Sequence, residues 1–274
     1  MEKLDCGRVA IIGTGRMGTT LITAWIDSGA LVAEDLVATA TRRRRLDQIA
    51  AKFGVHTTLD NREAVTGAHV VVLAVKPQIA PAVLEQVRDL LTPDHLVLSI
   101  VAGMTTSQIE SHLDPDVPVV RAMPNTPAQI GRAMTAVCGG RWAQKAQIDL
   151  AEDLFSRIGR CLALDEKHFD AVTGLSGSGP AFIYIVIEAL AEGGVKVGLP
   201  RHVATELAAQ TCLGAAHMVL ETEQHPAQLK DAVTTPAGCT IDGILKLEEG
   251  GLRVTLIKAI VEAQRRAAEL LDEA

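Results

Sequence analysis

Val9-Ala10-Ile11-Ile12-Gly13-Thr14-Gly15-Arg16-Met17-Gly18 reads as a buried strand, a glycine-rich turn and the start of a helix. Four apolar residues in a row suit a strand covered on both faces. A bare G-x-G-x-x-G is a weak signal. Strand before, helix after and position in a first βα turn are the context that gives it dinucleotide-binding meaning. Gly13 permits the tight turn, Gly15 lets the backbone approach a pyrophosphate, and Gly18 lets the helix lie close on the strand. Ile12, Thr14, Arg16 and Met17 complete the candidate cofactor turn. The alternative, a glycine-rich turn with no ligand, does not account for that context.

Working outward, near-continuous Val/Ile/Leu runs at 8–13, 36–40, 69–75, 96–101 and 117–123 read as strands, with 133–139 as a further one. Helical spacing occupies 17–28, 43–53, 79–91 and 106–113 between them. After Glu166 the strand patterns stop, and 182–196, 201–222 and 252–271 are long Ala/Leu/Glu helical patterns. The expected fold class is therefore α/β: an N-terminal doubly wound Rossmann-type domain over 1–165, followed by an all-helical dimerisation domain over 166–274. Apolar residues on more than one face of those helices predict a homodimer formed through them.

Composition narrows the function. The 274 residues are 48% hydrophobic and 3% aromatic, so the core is aliphatic. A formal charge of −7 argues against a nucleic-acid or anionic-membrane surface. No apolar run is expected to span a membrane, because the longest, around 181–190, carries Glu188 and then Glu192. Met1-Glu2-Lys3-Leu4-Asp5 does not read as a signal peptide. Five cysteines without a C-x-x-C pair fit a reducing cytoplasm. Eight histidines without H-x-x-x-H or H-x-x-E-H spacing predict no metal.

The second strand bears on the choice between NAD and NADP. An NAD site usually carries Asp or Glu at its end for the ribose 2′-OH. Here it ends Ala38-Thr39-Ala40-Thr41 and runs into Arg42-Arg43-Arg44-Arg45. Cations at a helix N-terminus face the positive end of the dipole. A 2′-phosphate explains them, with Thr41 and one or two of the arginines as ligands; Arg42 and Arg43 are nearest the strand end, the choice among Arg42–Arg45 being left open by the sequence, so NADP is expected, with NAD possible. Ala74, Val75, Lys76 and Pro77 close another strand at its carboxyl end, where open α/β sheets bind ligands.

Gly174-Leu175-Ser176-Gly177-Ser178-Gly179-Pro180 predicts a compact turn, with a helix beginning near Pro180. Val233-Thr234-Thr235-Pro236-Ala237-Gly238-Cys239-Thr240 gathers hydroxyls, a proline, a glycine and a thiol just before a helix start. Free backbone N–H groups there suit an anion.

These motifs, with Gly193-Gly194-Val195-Lys196-Val197-Gly198-Leu199-Pro200, Glu223-Gln224-His225-Pro226 and Met123-Pro124-Asn125-Thr126-Pro127, occur in the same order in pyrroline-5-carboxylate reductases. The chain resembles that family along essentially its whole length. Ala237 stands where many members have Gly. The resemblance implies reduction of the cyclic imine 1-pyrroline-5-carboxylate to L-proline, the last step of proline biosynthesis, by NADPH or NADH. It implies a substrate carboxylate on the backbone N–H groups of Gly238, Cys239 and Thr240, with Ser176 and Gly177 also at the substrate. It places the Thr240 hydroxyl toward the ring nitrogen, Asn61 near the adenosine, and Val101, Ala102 and Gly103 beside the nicotinamide. It further implies that the 233–240 loop comes from the partner subunit.

Two rival readings are weighed against this. The related β-hydroxyacid dehydrogenases resemble G-x-x-G-x-G-x-x-x-K here, but the Lys position is Ile183 and the position three further on is Val186. Oxidising an alcohol needs a base, and neither residue is one. The other rival is an NADP-sensing protein on the same fold, which fold alone does not exclude.

Overall fold

The computed structural model describes residues 3–269. Its strands are β1 (Val9–Ile12), β2 (Leu36–Thr39), β3 (His56–Thr58), β4 (Val70–Leu73), β5 (Leu96–Ser99), β6 (Val119–Met123), β7 (Ala133–Gly139) and β8 (Gly159–Ala163). Its α-helices are α1 (Arg16–Asp27), α2 (Arg43–Phe53), α3 (Asn61–Val65), α4 (Ala80–Val87), α5 (Thr106–Glu110), α6 (Lys145–Ser156), α7 (Phe169–Val172), α8 (Gly179–Lys196), α9 (Arg201–Thr222), α10 (Pro226–Ala232), α11 (Cys239–Glu249) and α12 (Leu252–Glu269).

The strands form one sheet in the order β3-β2-β1-β4-β5-β6-β7-β8. Every pairing is parallel except β6 with β7. Side chains alternate across it, as strand geometry requires. Val9, Ile11, Val70 and Val72 face one core with Leu21 and Trp25 of α1 and Leu154 and Phe155 of α6. Ala10, Ile12, Val71 and Leu73 face the other with Val65 of α3, Leu84 of α4 and Ile109 of α5. Each fully buried side chain of this kind contributes about 1.5–3 kcal/mol. Trp25 satisfies its one donor by giving Nε1–H to the Leu154 carbonyl at 2.9 Å. The chain leaves β1 toward β2 on one side and reaches β4 on the other, so the carboxyl ends of β1 and β4 border a switch point, where such sheets bind ligands.

The doubly wound expectation holds, and sequence patterning missed the edges. β3 and β8 sit at the two ends of the sheet, β8 with no buried residue and β3 with only Thr58 buried, so they carry no buried apolar run. Helices α3 and α7 are too short for a periodic signal.

The expected turn over 174–180 is not a turn. Thr173–Gly177 is a π-helical turn, in which Ser178 N–H reaches back to the Thr173 carbonyl at 2.9 Å. The wider ring accommodates the glycines, so Glu166–Lys196 forms a single helical run of 31 residues. Within that run an 18-residue window has mean hydropathy 1.4, so by length and composition this one helix among the described residues could cross a membrane, which the 181–190 segment taken alone does not suggest. The helix start expected near Pro180 is met by α8 at Gly179, and only the compact turn before it is replaced by the π turn.

The chain divides into two compact units, Met1–Ser178 with Glu262–Ala274, and Gly179–Val261. Compactness draws the line later than the change of composition near Asp165. The reason is Phe169, fully buried in a cluster with Ala136 and Cys138 of β7, which attaches the 166–178 segment to the sheet. In the second unit α8 and α9 pack through small residues, with Ala191, Ala204 and Ala208 buried and Ile187 and Val195 alongside.

Candidate active site

A cleft of about 480 Å³ opens at the carboxyl ends of β1, β2 and β4. Of the sequence-expected residues it is lined by Ile12, Gly13, Thr14, Gly15, Thr41, Arg42, Asn61, Ala74, Val75 and Lys76. Arg16, Met17, Gly18, Arg43 and Pro77 are chain neighbours of lining residues but do not line it, and neither do Val101, Ala102 and Gly103. The lining is completed by Arg45, one of the four arginines the sequence leaves open, and by Thr39, Ala40, Leu59, Ile79 and Val83, which sequence reasoning does not single out as site residues. Arg42 is the extended N-cap of α2 and Arg45 lies in its first turn, so the two reach the cleft from different backbone conformations.

The glycine turn has the geometry its residues suggest. Gly13 has φ +101°, and a Cβ there would press on the Ala74 carbonyl. A Cβ on Gly18 would collide with the Gly13 carbonyl oxygen, so α1 can approach β1 only with glycine at that place. Thr14 N–H donates to the Thr39 carbonyl at 3.0 Å and Gly13 N–H to Thr39 Oγ1 at 3.3 Å, tying the turn to the end of β2. Gly15 caps α1 with no side-chain acceptor, leaving the first-turn N–H groups for an anion. Thr14 Oγ1 is buried in the turn without a hydrogen-bond partner. An orphaned hydroxyl and uncapped N–H groups fit a phosphate-bearing ligand. At α2 the first turn has no acidic residue and its N-cap, Arg42, makes no side-chain cap bond, again favouring an added anion. Asn61 Nδ2 donates to Gln86 Oε1 at 2.9 Å.

Val101–Gly103 follow β5, beside β4. Val101 is buried and its N–H donates to Ser99 Oγ at 3.3 Å. The segment ends at α5, whose start is fixed by Glu166: Thr106 N–H and Oγ1–H donate to its two carboxylate oxygens at 2.8 and 2.7 Å. Arg121 of β6 donates to the same carboxylate at 3.0 Å and stacks on the Phe169 ring. Burial beside this pair pushes the Cys138 thiol up to about 12.

Of the candidate substrate residues, Ser176 and Gly177 belong to the first unit and Gly238, Cys239 and Thr240 to the second. Ser176 lies in the π turn. Its carbonyl accepts from Asn125 Nδ2 at 2.9 Å, and its hydroxyl donates to Val172 O at 3.1 Å. Asn125 Oδ1 in turn accepts from Met134 N–H at 3.0 Å, so this buried amide of the Met123–Pro127 motif holds the turn in place.

The 233–240 loop is shaped for its place before α11. Thr234 Oγ1 donates to the Lys230 carbonyl at 2.8 Å, closing α10. Gly238 N–H donates to the Thr235 carbonyl at 3.0 Å, and a Cβ on Gly238 would collide with Thr235 Oγ1. Gly238 caps α11 without a side-chain acceptor, so the first N–H groups of that helix, including those of Cys239 and Thr240, keep no intrahelical partner. Ala237 has φ +58°, a left-handed conformation that favours glycine. Among the described residues no group of His, Cys, Asp and Glu side chains could hold a metal ion.

Comparison with known proteins shows which family the chain is similar to. Residues 166–270 match the family model for pyrroline-5-carboxylate reductase dimerisation, and 8–103 match that for NADP oxidoreductase, coenzyme F420-dependent. The chain is 42% identical over 263 residues to a pyrroline-5-carboxylate reductase of Methanosarcina acetivorans, covering 96% of this chain and 97% of that one. Its structure resembles that of a pyrroline-5-carboxylate reductase from Coxiella burnetii, with TM-score 0.90, 39% identity and 97% and 99% of the two chains covered. It also resembles a Plasmodium falciparum pyrroline carboxylate reductase with NADP bound, at TM-score 0.88 and 28% identity, over 98% and 99% of the chains.

Proposed function

The chain belongs to the pyrroline-5-carboxylate reductase family, and we propose on that premise that it reduces 1-pyrroline-5-carboxylate to L-proline with NADPH as hydride donor, NADH being the alternative donor. The observation that carries the reading beyond family membership is the uncapped start of α11: Gly238 supplies no side-chain acceptor, and the N–H groups of Cys239 and Thr240 suit the carboxylate of an imino acid. Ser176 and Gly177 line the same substrate on this reading, and the 233–240 loop completes the site in the dimer.

When bound, the cofactor supplies a hydride to the imine carbon and leaves oxidised. The protein's part is placement. Gly13, Gly15 and the first turn of α1 would hold the pyrophosphate, Thr41 and Arg42 the 2′-phosphate, and Asn61 the adenosine, all of these residues or their neighbours lining the cleft. Val101–Gly103 set the nicotinamide face. An iminium carbon is already electrophilic, so near-attack geometry and exclusion of water do most of the work. Thr240 Oγ hydrogen-bonds the ring nitrogen as it becomes an amine. No side chain is assigned as an essential general acid. The alcohol-oxidising rival fails on the same ground in the structure as in the sequence: α8 offers Ile183 and Val186 where that chemistry needs a base.

The domain assignment belongs to this proposal: 1–165 binds NADP, and 166–274 binds substrate and forms the homodimer. Large apolar side chains on the second unit, among them Ile185, Leu207, Leu247, Val254 and Ile257, are exposed in the single chain. A partner subunit burying them fits better than solvent. We place the enzyme in the cytoplasm.

The test is turnover. The purified protein oxidises NADPH with pyrroline-5-carboxylate, forms proline, and is inert toward 2-hydroxy acids. Absence of imine turnover with NADPH still bound would leave a sensor in its place. Thr240→Ala is expected to lose kcat with NADPH affinity intact, and wild-type rates would remove Thr240 from the mechanism.

A further inference from the structure

Arg45 lines the cofactor cleft, yet two of its N–H groups are committed to the protein. Its Nε–H donates to the Thr14 carbonyl at 3.0 Å, and its Nη2 donates to Thr19 Oγ1 at 2.6 Å. Thr19 Oγ1–H continues the chain to the Gly15 carbonyl at 2.7 Å, which also accepts Thr19 N–H at 3.1 Å. The carbonyls of Thr14 and Gly15, the two residues at the centre of the glycine turn, are thus both held by a relay that starts on α2. A trans peptide is planar, with its N–H opposed to its carbonyl. Holding those two oxygens therefore points the N–H groups of Gly15 and Arg16 away from Arg45, the orientation a pyrophosphate needs.

We infer that Arg45 is a positioning residue that clamps the glycine turn for the pyrophosphate, and that it is not the ligand that distinguishes NADPH from NADH. The inference rests on the NADP reading above. A planar fork with several donors suits this task, because one guanidinium can hold a carbonyl and a hydroxyl at fixed separation. A lysine ammonium at this place can reach either acceptor but keeps no such geometry.

The test is equilibrium binding of NADPH and of NADH, read from nicotinamide fluorescence, to the full-length protein and to Arg45→Ala, Arg45→Lys, Thr19→Val and the Arg45→Ala/Thr19→Val double variant. Arg45→Ala is expected to weaken both nucleotides by the same factor, about tenfold, the size of one charge-assisted hydrogen bond. Arg45→Lys should recover part of this. The double variant should bind no worse than Arg45→Ala alone, because both changes break one relay. A purely structural role would lower the melting temperature and leave both dissociation constants of the folded protein unchanged. That result overturns the inference, as does a loss confined to NADPH, which would make Arg45 a 2′-phosphate ligand. If Arg45→Ala does not fold, Thr19→Val carries the same comparison. Wild-type protein that binds neither nucleotide would refute the NADP reading itself, a result distinct from any of these.

Discussion

Arg121 and Glu166 form an ion pair at 3.0 Å, the guanidinium buried and the carboxylate 27% exposed, that joins the sheet to the first residue of the helical run. Arg121 lies in β6 with its side chain 4% exposed, and the carboxylate it meets also receives Thr106 N–H and Oγ1–H at the start of α5. One carboxylate therefore fixes the segment that contains Val101–Gly103. Removing it leaves a buried guanidinium without its counter-charge. Glu166→Ala is expected to cost about 3 kcal/mol in urea unfolding and to raise the NADPH KM. Glu166→Gln, which keeps one acceptor oxygen for Thr106 N–H and Arg121 and presents an amide N–H that Thr106 Oγ1 can accept, should cost less. Equal losses for Ala and Gln would show that hydrogen bonding at Thr106 contributes nothing.

Arg42 lines the cleft and Arg43 does not. Arg42→Ala should therefore lower the ratio of kcat/KM for NADPH over NADH by about ten- to a hundredfold, and Arg43→Ala should leave it within twofold. Steady-state kinetics with both cofactors decides. A fall in the ratio for Arg43→Ala alone would place the 2′-phosphate on the other side of α2.

Ala237 at φ +58° stands beside Gly238, whose Cβ position is blocked by Thr235. A β-branched residue is a genuine outlier in that conformation. Ala237→Val should cut kcat/KM for the imine by about tenfold, equivalent to ~1.4 kcal/mol of strain, while NADPH affinity is kept. Ala237→Gly should hold or improve it. A matching loss in both variants would mean that side-chain contacts of Ala237 matter more than its backbone.

Burial raises the thiols of Cys6 and Cys138 from the usual 9.0 to about 11 and about 12. The unfolded chain releases these protons first. The stabilisation is fully present below pH 9 and is lost as pH climbs toward the folded values, with a slope of up to about 1.4 kcal/mol per pH unit for each thiol. Urea unfolding of the wild type should therefore weaken between pH 9 and 11 more steeply than that of a Cys6→Ala/Cys138→Ala variant. Parallel curves would show that neither thiol contributes.

Much of this protein was legible in one dimension because its information is local. A strand, a glycine turn and a helix in succession need only neighbouring residues, so β1, the turn and α1 were found from spacing. The loop before α11 was visible as a cluster of hydroxyls and glycine for the same reason. Edge strands β3 and β8 were not, since their place comes from pairing with β2 and β7 rather than from an apolar run of their own. The 174–180 segment was misread because glycine and proline ordinarily break a helix, and only the Thr173–Ser178 hydrogen bond shows a π turn absorbing them.

The sequence by itself determined the fold class, the dinucleotide fingerprint, the absence of an acid after β2 and the family. Each is a matter of residue type at short spacing. Tertiary structure alone decided that Arg42 and Arg45 line the cleft, that Arg45 bonds the Thr14 carbonyl and Thr19, and that Glu166 serves Arg121 and Thr106. Four consecutive arginines look alike in a sequence. A helix turns by about 100° per residue, so each faces a different neighbour, and only the fold assigns those neighbours.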